Sequence, residues 1–231
     1  MASAPTPNNL PMFYKDLVPL NSEQHGDWRT RGLDDAKFLS NQHAIPITVD
    51  EFVPCSRSYP IIFSSGDQPV PLALMGMNEG VNTFINDEGK LDQPVYLPAY
   101  IRRYPFLLAR LQQDSDELSL CFDPEAGAIG PFDEGEKLFE DGQPSEATKN
   151  ILKFCEDFEQ SGARTQAFME DLKKSGLIMD GEVSIQQNGV EQPFIYRGFG
   201  MIDEQKLKDL RGDELRKMNQ NGMLPLIHAH L

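Results

Sequence analysis

Asp141-Gly-Gln-Pro-Ser-Glu-Ala-Thr-Lys-Asn-Ile-Leu-Lys-Phe-Cys-Glu-Asp-Phe158 is where the chain changes its hydrophobic period. Before Gly142 the apolar residues come in short runs or at spacing two. After it they recur at three and four, the spacing of one helix face. Ser145 is placed to cap that helix, with Thr148 in its first turn. Ala147, Ile151, Cys155 and Phe158 fall on one stripe, flanked by Leu152 and Phe154. Ser161-Gly162 reads as an interruption. A second helix is expected from about Ala163, with Phe168 and Leu172 inward, Lys173-Lys174 in the last turn and Gly176 at a left-handed cap.

Upstream, the pattern is extended. Ile45, Ile47 and Val49 alternate, and Tyr59-Pro-Ile-Ile-Phe63 is a run of β-formers. The turn residues Ser64-Ser-Gly-Asp67 separate it from Val70-Pro-Leu-Ala-Leu-Met75. Asn82-Thr-Phe-Ile85 enters the turn Asn86-Asp-Glu-Gly89, and Leu118-Ser-Leu-Cys-Phe122 closes the set. Downstream, Val183-Ser-Ile185 and Phe194-Ile-Tyr196 flank Asn188-Gly189, a hairpin signal. Asp203 is expected to cap a further helix, Asp213 to restart it and Asn221-Gly222 to end it, leaving an apolar, docked tail. These signals predict an α+β fold with a mainly antiparallel or mixed sheet. Residues 45–122 and the 183–196 hairpin supply the sheet, with the helices of 145–175 on one face. Residues 1–20, broken by Pro5, Pro7 and Pro11, are expected to form an extended arm, and residues 21–231 a single domain.

Thirty-six acidic residues against 21 basic ones give a net charge of −15 over 231 residues. That charge repels phosphate backbones and anionic lipid, so no nucleic acid is expected as a partner. No apolar run is long enough to insert into a membrane. Cys55, Cys121 and Cys155 are too scattered for a disulfide framework or a redox pair. With no export signal in the first ten residues, a cytoplasmic location is expected. Cys155, on an apolar helix face, reads as structural.

The densest chemistry lies in Tyr96-Leu-Pro-Ala-Tyr-Ile-Arg-Arg-Tyr-Pro-Phe106, where rigid rings surround an arginine pair. Pro98 and Pro105 confine any helix there to about two turns. Arg102 and Arg103 then point apart, one inward and one to solvent. The inward arginine needs a partner: Tyr96, Tyr100 or a distant carboxylate. Alternatively, a guanidinium binds an anionic ligand in a cleft lined by Tyr100 and Tyr104. Tyr96, Tyr100, Arg102, Arg103 and Tyr104 are therefore the candidate ligand- or partner-binding residues.

No nucleophile elbow, phosphate loop, dinucleotide fingerprint or zinc-protease motif occurs. No catalytic residue and no cofactor are assigned. Asn86-Asp-Glu-Gly89 and Asp133-Glu-Gly135 read as turns. His228 and His230 would share a face, and could share a metal, if the tail is a strand, with His43 or His25 as third ligand.

The chain resembles the SapC family, bacterial proteins named for a surface-array protein locus. The resemblance rests on Phe52-Val-Pro-Cys55, Tyr59–Phe63, Ala73-Leu-Met-Gly76, Asn82-Thr-Phe84, the Tyr96–Phe106 block and Leu118-Ser-Leu-Cys-Phe-Asp123. Leu138-Phe139, Asp141-Gly142, Gly198-Phe-Gly200, Ile202-Asp-Glu204 and His228-Ala-His-Leu231 continue it in order. Leu91 stands where the family has a tryptophan. The family name implies a surface-layer role. The company its members keep, TonB-dependent receptors and halogenase- or cupin-like enzymes, implies an accessory role in nutrient uptake or substrate modification. Three functions follow: a non-catalytic accessory protein for a protein or peptide partner, a metal-dependent enzyme using His228 and His230, or a surface-layer subunit. Each admits a homo-oligomer.

Overall fold

The residues after Gly142 form one helix, Glu146–Ser175, instead of two. Ser161 does not break it, because its hydroxyl donates to Asp50 Oδ2 at 2.7 Å and does not compete for its own backbone. Gly162 lies inside the helix with open space where a Cβ would go. An interior glycine costs about 0.5–1 kcal/mol relative to alanine, too little to break a helix whose buried stripe continues on both sides. The expected cap is present, since the Thr148 amide donates to Ser145 Oγ at 3.2 Å. The Ser145 hydroxyl also donates to Lys137 O and the Thr148 hydroxyl to Leu138 O, each at 2.6 Å. At the other end Gly176 has φ +69°, the left-handed cap predicted for it.

The computed structural model describes residues 10–91, 94–111, 117–186, 189 and 192–231. Asn188 of the predicted hairpin turn and residues 1–9 of the predicted arm lie outside them. The chain divides into two compact units. The first comprises residues up to Leu39, Asp87–Lys90 and Ile101–Gln160, and the second Ser40–Asn86, Leu91–Tyr100 and Ser161–Leu231.

In the first unit, Leu118–Phe122 lies between Val18–Pro19 and Phe106–Arg110, all antiparallel. Phe106 pairs with Phe122 and Arg110 with Leu118. Alternation sends Phe106, Leu108 and Phe122 to a core shared with Ile129, Leu138, Phe139 and Cys155. Leu107, Ala109 and Cys121 on the other face are covered by Tyr14. Phe106–Ala109 is buried on both faces, so it reads as an apolar run instead of an alternating one. Tyr14 also donates its hydroxyl to Phe106 O at 2.7 Å. A smaller sheet sets Arg29–Thr30 between Ile129–Gly130 and Glu136–Lys137.

The second unit holds a five-stranded antiparallel sheet in the order Ile178–Ile185, Phe194–Ile202, Ile61–Ser64, Pro71–Leu74, Ala44–Pro46. The expectation of one sheet from 45–122 is thus corrected: the strands up to Leu74 join the hairpin, whereas Phe106–Arg110 and Leu118–Phe122 pair in the other unit. Gly181 allows the hairpin to close, since a Cβ there would lie 2.2 Å from the Phe199 ring. Asn82–Ile85 forms no strand, and only Ile85 bridges to Leu91. The tail is a helix, Met223–His230, docked by Met223 and Ile227.

Candidate functional site

The Tyr96–Phe106 block contributes to both units, and in each a buried carboxylate receives it. In the second unit the acid is Glu51, 4% exposed. Its Oε2 accepts from the Thr48 amide at 3.0 Å and the Thr48 hydroxyl at 2.9 Å. Its Oε1 accepts from the Tyr96 hydroxyl at 3.0 Å and the Ala99 amide at 2.5 Å. Four donors from two segments satisfy the carboxylate, which is how a buried charge becomes tolerable. Tyr59 adds a bond from its hydroxyl to Tyr96 O at 2.9 Å. Tyr100, one residue into the short helix Ala99–Arg102, is buried.

In the first unit the acid is Asp123, fully buried. Oδ1 accepts from the Glu125 amide at 2.9 Å, and Oδ2 from the Lys15 amide at 2.8 Å and the Tyr104 hydroxyl at 3.5 Å. Burial, then the neighbouring Asp123 charge, pushes the Tyr104 pKa up to about 12, so its hydroxyl stays protonated at neutral pH. Arg103 is the inward arginine, 8% exposed, and Arg102 the solvated one. A distant carboxylate, one of the partners foreseen for it, stands beside Arg103: Glu159 lies 3.7 Å away, and the guanidinium covers the Phe158 ring at 4.4 Å. Arg102 lies over Phe154 at 5.1 Å.

One side chain of the predicted binding set, Tyr104, lines an open cleft of about 290 Å³ in this unit. Neither arginine lines it. Phe13 and Phe38 make the rest of its aromatic wall. Phe38 lies 4.7 Å from Tyr104, tilted by 32°, and Phe13 meets Phe38 edge-on at 5.1 Å. Lys15, Arg31, Asp34, Asp35 and Glu125 complete the rim. Phe13 has φ +83°, a conformation unusual for a bulky residue. Such strain costs about 1–3 kcal/mol and is characteristic of sites where a ring must face a given way. The loop carrying Asp35 is fixed from beneath by Gly89, whose carbonyl accepts from Ala36 at 2.7 Å. A Cβ on Gly89 would come within 2.5 Å of Lys37.

The terminal histidines do not form the predicted pair. On a helix, residues two apart face nearly opposite ways, and the strand on which the metal reading rested is absent. His228 is exposed. His230 Nε2 instead accepts from the Ile202 amide at 3.1 Å, and the ring stacks on Phe63 at 4.8 Å. Burial lowers its pKa, partly offset by the Ile61 backbone. His25 is buried, edge-on to Trp28 and Phe122, with its pKa lowered chiefly by burial. Among the described residues no three of His, Cys, Asp and Glu are grouped to hold a metal. The three cysteines are buried thiols outside any disulfide, and burial raises Cys121 and Cys155 to about 11 and about 12.

Phe13, Phe38 and Asp34 carry no periodic or motif signal and were invisible to sequence reasoning. Asp123-Pro124 at the end of a strand is a turn signal that could have singled out Asp123. Compared with known proteins, the sequence profile of the SapC family matches residues 20–231. No curated protein and no solved structure matches. Among the described residues no helix is long and apolar enough to cross a membrane.

Proposed function

The chain belongs to the SapC family, and we propose that it is a non-catalytic accessory protein that binds a polypeptide through the Tyr104 cleft. The observation carrying this reading is the wall of Phe13, Phe38 and Tyr104, with Phe13 held at a strained backbone angle. Tyr104 offers a ring and not a proton, because its hydroxyl is turned to Asp123. The cleft, about 290 Å³, is just below the roughly 300–1,000 Å³ typical of whole small-molecule sites. It suits one or two side chains of a longer ligand, and aromatic walls supply most of the affinity at such anchors. Three buried cysteines, none of them bridged, are compatible with work in a reducing compartment such as the cytoplasm. The family resemblance suggests service to a nutrient-uptake or substrate-modification system.

Selection from a displayed random-peptide library on the intact protein tests this. Enriched peptides should compete with one another and lose most of their affinity to a Phe38→Ala protein that still melts cooperatively. Peptides that bind this protein equally well, or no enrichment at all, would contradict it.

A further inference from the structure

We infer that the open face of the five-stranded sheet is the contact of a twofold-symmetric dimer, in which a second copy of this chain packs the same face against it. Strand register assigns the two faces. On one, Ile45, Phe63, Ala73 and Ile202 are fully buried. The helix Met223–His230 packs on that side, its His230 ring stacked on Phe63 at 4.8 Å. On the other face Ile62, Leu74 and Phe199 form an apolar cluster. The apolar side chains packed against it, Ala44, Leu72, Tyr196 and Met201, are strand residues of the same sheet. No helix or loop supplies a second apolar layer to this cluster among the described residues.

The open face runs on to the edge strand Ile178–Ile185, where Met179 and Val183 are 43% and 40% exposed. Met179 lies opposite Met201 and Val183 opposite Tyr196, so both stand on the side of the cluster. Gly181, between them, leaves room for the Phe199 ring, which stacks on Tyr196 at 5.2 Å. A sheet face this apolar is ordinarily covered, and one left open marks a contact.

Charge selects the occupant. No strand position on this face is an Asp, Glu, Lys, Arg or His. Asp180 and Glu182 alternate to the opposite face, where Arg197 holds Glu182 at 2.7 Å. A charged peptide would therefore meet no counter-ion here. A twofold axis sets a patch against its own copy, which a patch of net charge resists and a neutral one permits. Two copies of charge −15 repel from a distance, and this face lets them touch without burying a charge.

The area sets the strength. The two long strands, of 8 and 9 residues, run about 26–30 Å, and five strands span about 19 Å. The other three strands are shorter, so the face covers roughly 400–500 Å², and two copies would bury about 800–1,000 Å² in all, the range of weak, reversible complexes. The two sheets would stack about 10 Å apart, with the helices outside.

Sedimentation velocity of the full-length chain, from about 1 µM to about 500 µM protein, in low salt and in about 0.5 M salt, tests this. The chain should pass from monomer to dimer over that range. Salt should raise the dimer fraction, because screening removes the repulsion between like-charged copies. Met179→Lys and Val183→Lys, which set a charge on the face, should each weaken the dimer at least about tenfold. Asp180→Lys, one residue away on the opposite face, should leave it intact or strengthen it. All three positions are exposed, and a cooperative melt shows that each variant is folded. A chain that stays monomeric throughout overturns the inference. So does a dimer that survives both face variants, which would put the contact elsewhere, as in strand addition at the Ile178–Ile185 edge.

Discussion

The Tyr96 hydroxyl and the Glu51 carboxylate meet at 3.0 Å, and the oxygen that takes this bond also takes the Ala99 amide at 2.5 Å. The other Glu51 oxygen takes the Thr48 amide at 3.0 Å. Each oxygen therefore faces a backbone N–H, which cannot rotate away or become an acceptor. Glutamine in either orientation would set its NH₂ against one of them. We expect Glu51→Gln to lower stability by about 1–3 kcal/mol, the cost of one buried unsatisfied donor. Tyr96→Phe, which leaves that oxygen its amide, should cost about 1 kcal/mol. Urea unfolding of the two variants checks the order, and equal midpoints would contradict it.

Asp123 is built on the same principle, with the Glu125 amide on one oxygen and the Lys15 amide on the other. Asp123→Asn should likewise cost about 1–3 kcal/mol. Tyr104→Phe should be nearly silent in stability, since its bond to Asp123 is long at 3.5 Å. Phe106, 6% exposed in the core, should cost about 3–5 kcal/mol when cut to alanine. A Tyr104→Phe protein destabilised as much as the Asp123→Asn one would show that the hydroxyl matters more than this geometry allows.

Continuity of the helix Glu146–Ser175 is tested by Gly162→Ala. A Cβ there meets nothing within 4 Å, so the substitution should stabilise by about 0.5–1 kcal/mol. If the chain broke at Ser161-Gly162 as its sequence suggests, the same change would be neutral or destabilising in thermal melts.

His25, buried, and His230, half-buried, give a pH dependence whose sign is fixed. Both His25 and His230 have pKa values below the unfolded 6.5. Between 6.5 and the folded values the unfolded chain binds more protons, so stability falls as pH drops through that window and levels off beneath it. Urea midpoints should be flat from pH 8 to 7.5 and decline from 7 to 5.5. His230→Gln, which can still accept from Ile202, should reduce that slope, whereas an unchanged slope would mean His230 does not titrate in this range.

The α+β mixture was readable because period two and period 3.6 are properties of local chain geometry, and the switch after Gly142 separates them. The hairpin, read at Val183–Ile185 and Phe194–Tyr196 within the longer strands Ile178–Ile185 and Phe194–Ile202, and the caps at Ser145 and Gly176 were legible for the same reason. Strand partnership was not. Nothing in Leu118–Phe122 says that it pairs with Val18–Pro19 and Phe106–Arg110 instead of with Ile61–Ser64, because pairing is set by tertiary burial on both faces. The break predicted at Ser161 failed because the hydroxyl that could have competed with the helix is bonded to Asp50. Within the block, helical angles made it legible that one arginine turns inward and the other outward, but not that Arg103 is the inward one. The cleft was not, since Phe13, Asp34 and Phe38 come from loops whose convergence only the fold specifies.

The binding reading is met most directly by the amide NMR spectrum of the intact protein, recorded as a library-selected peptide is added. The account predicts that the largest shifts fall at Phe13, Arg31 to Asp35, Phe38, Tyr104 and Glu125 to Gly127. Shifts centred instead on Arg102 and Phe154, on the hairpin, or nowhere would contradict it.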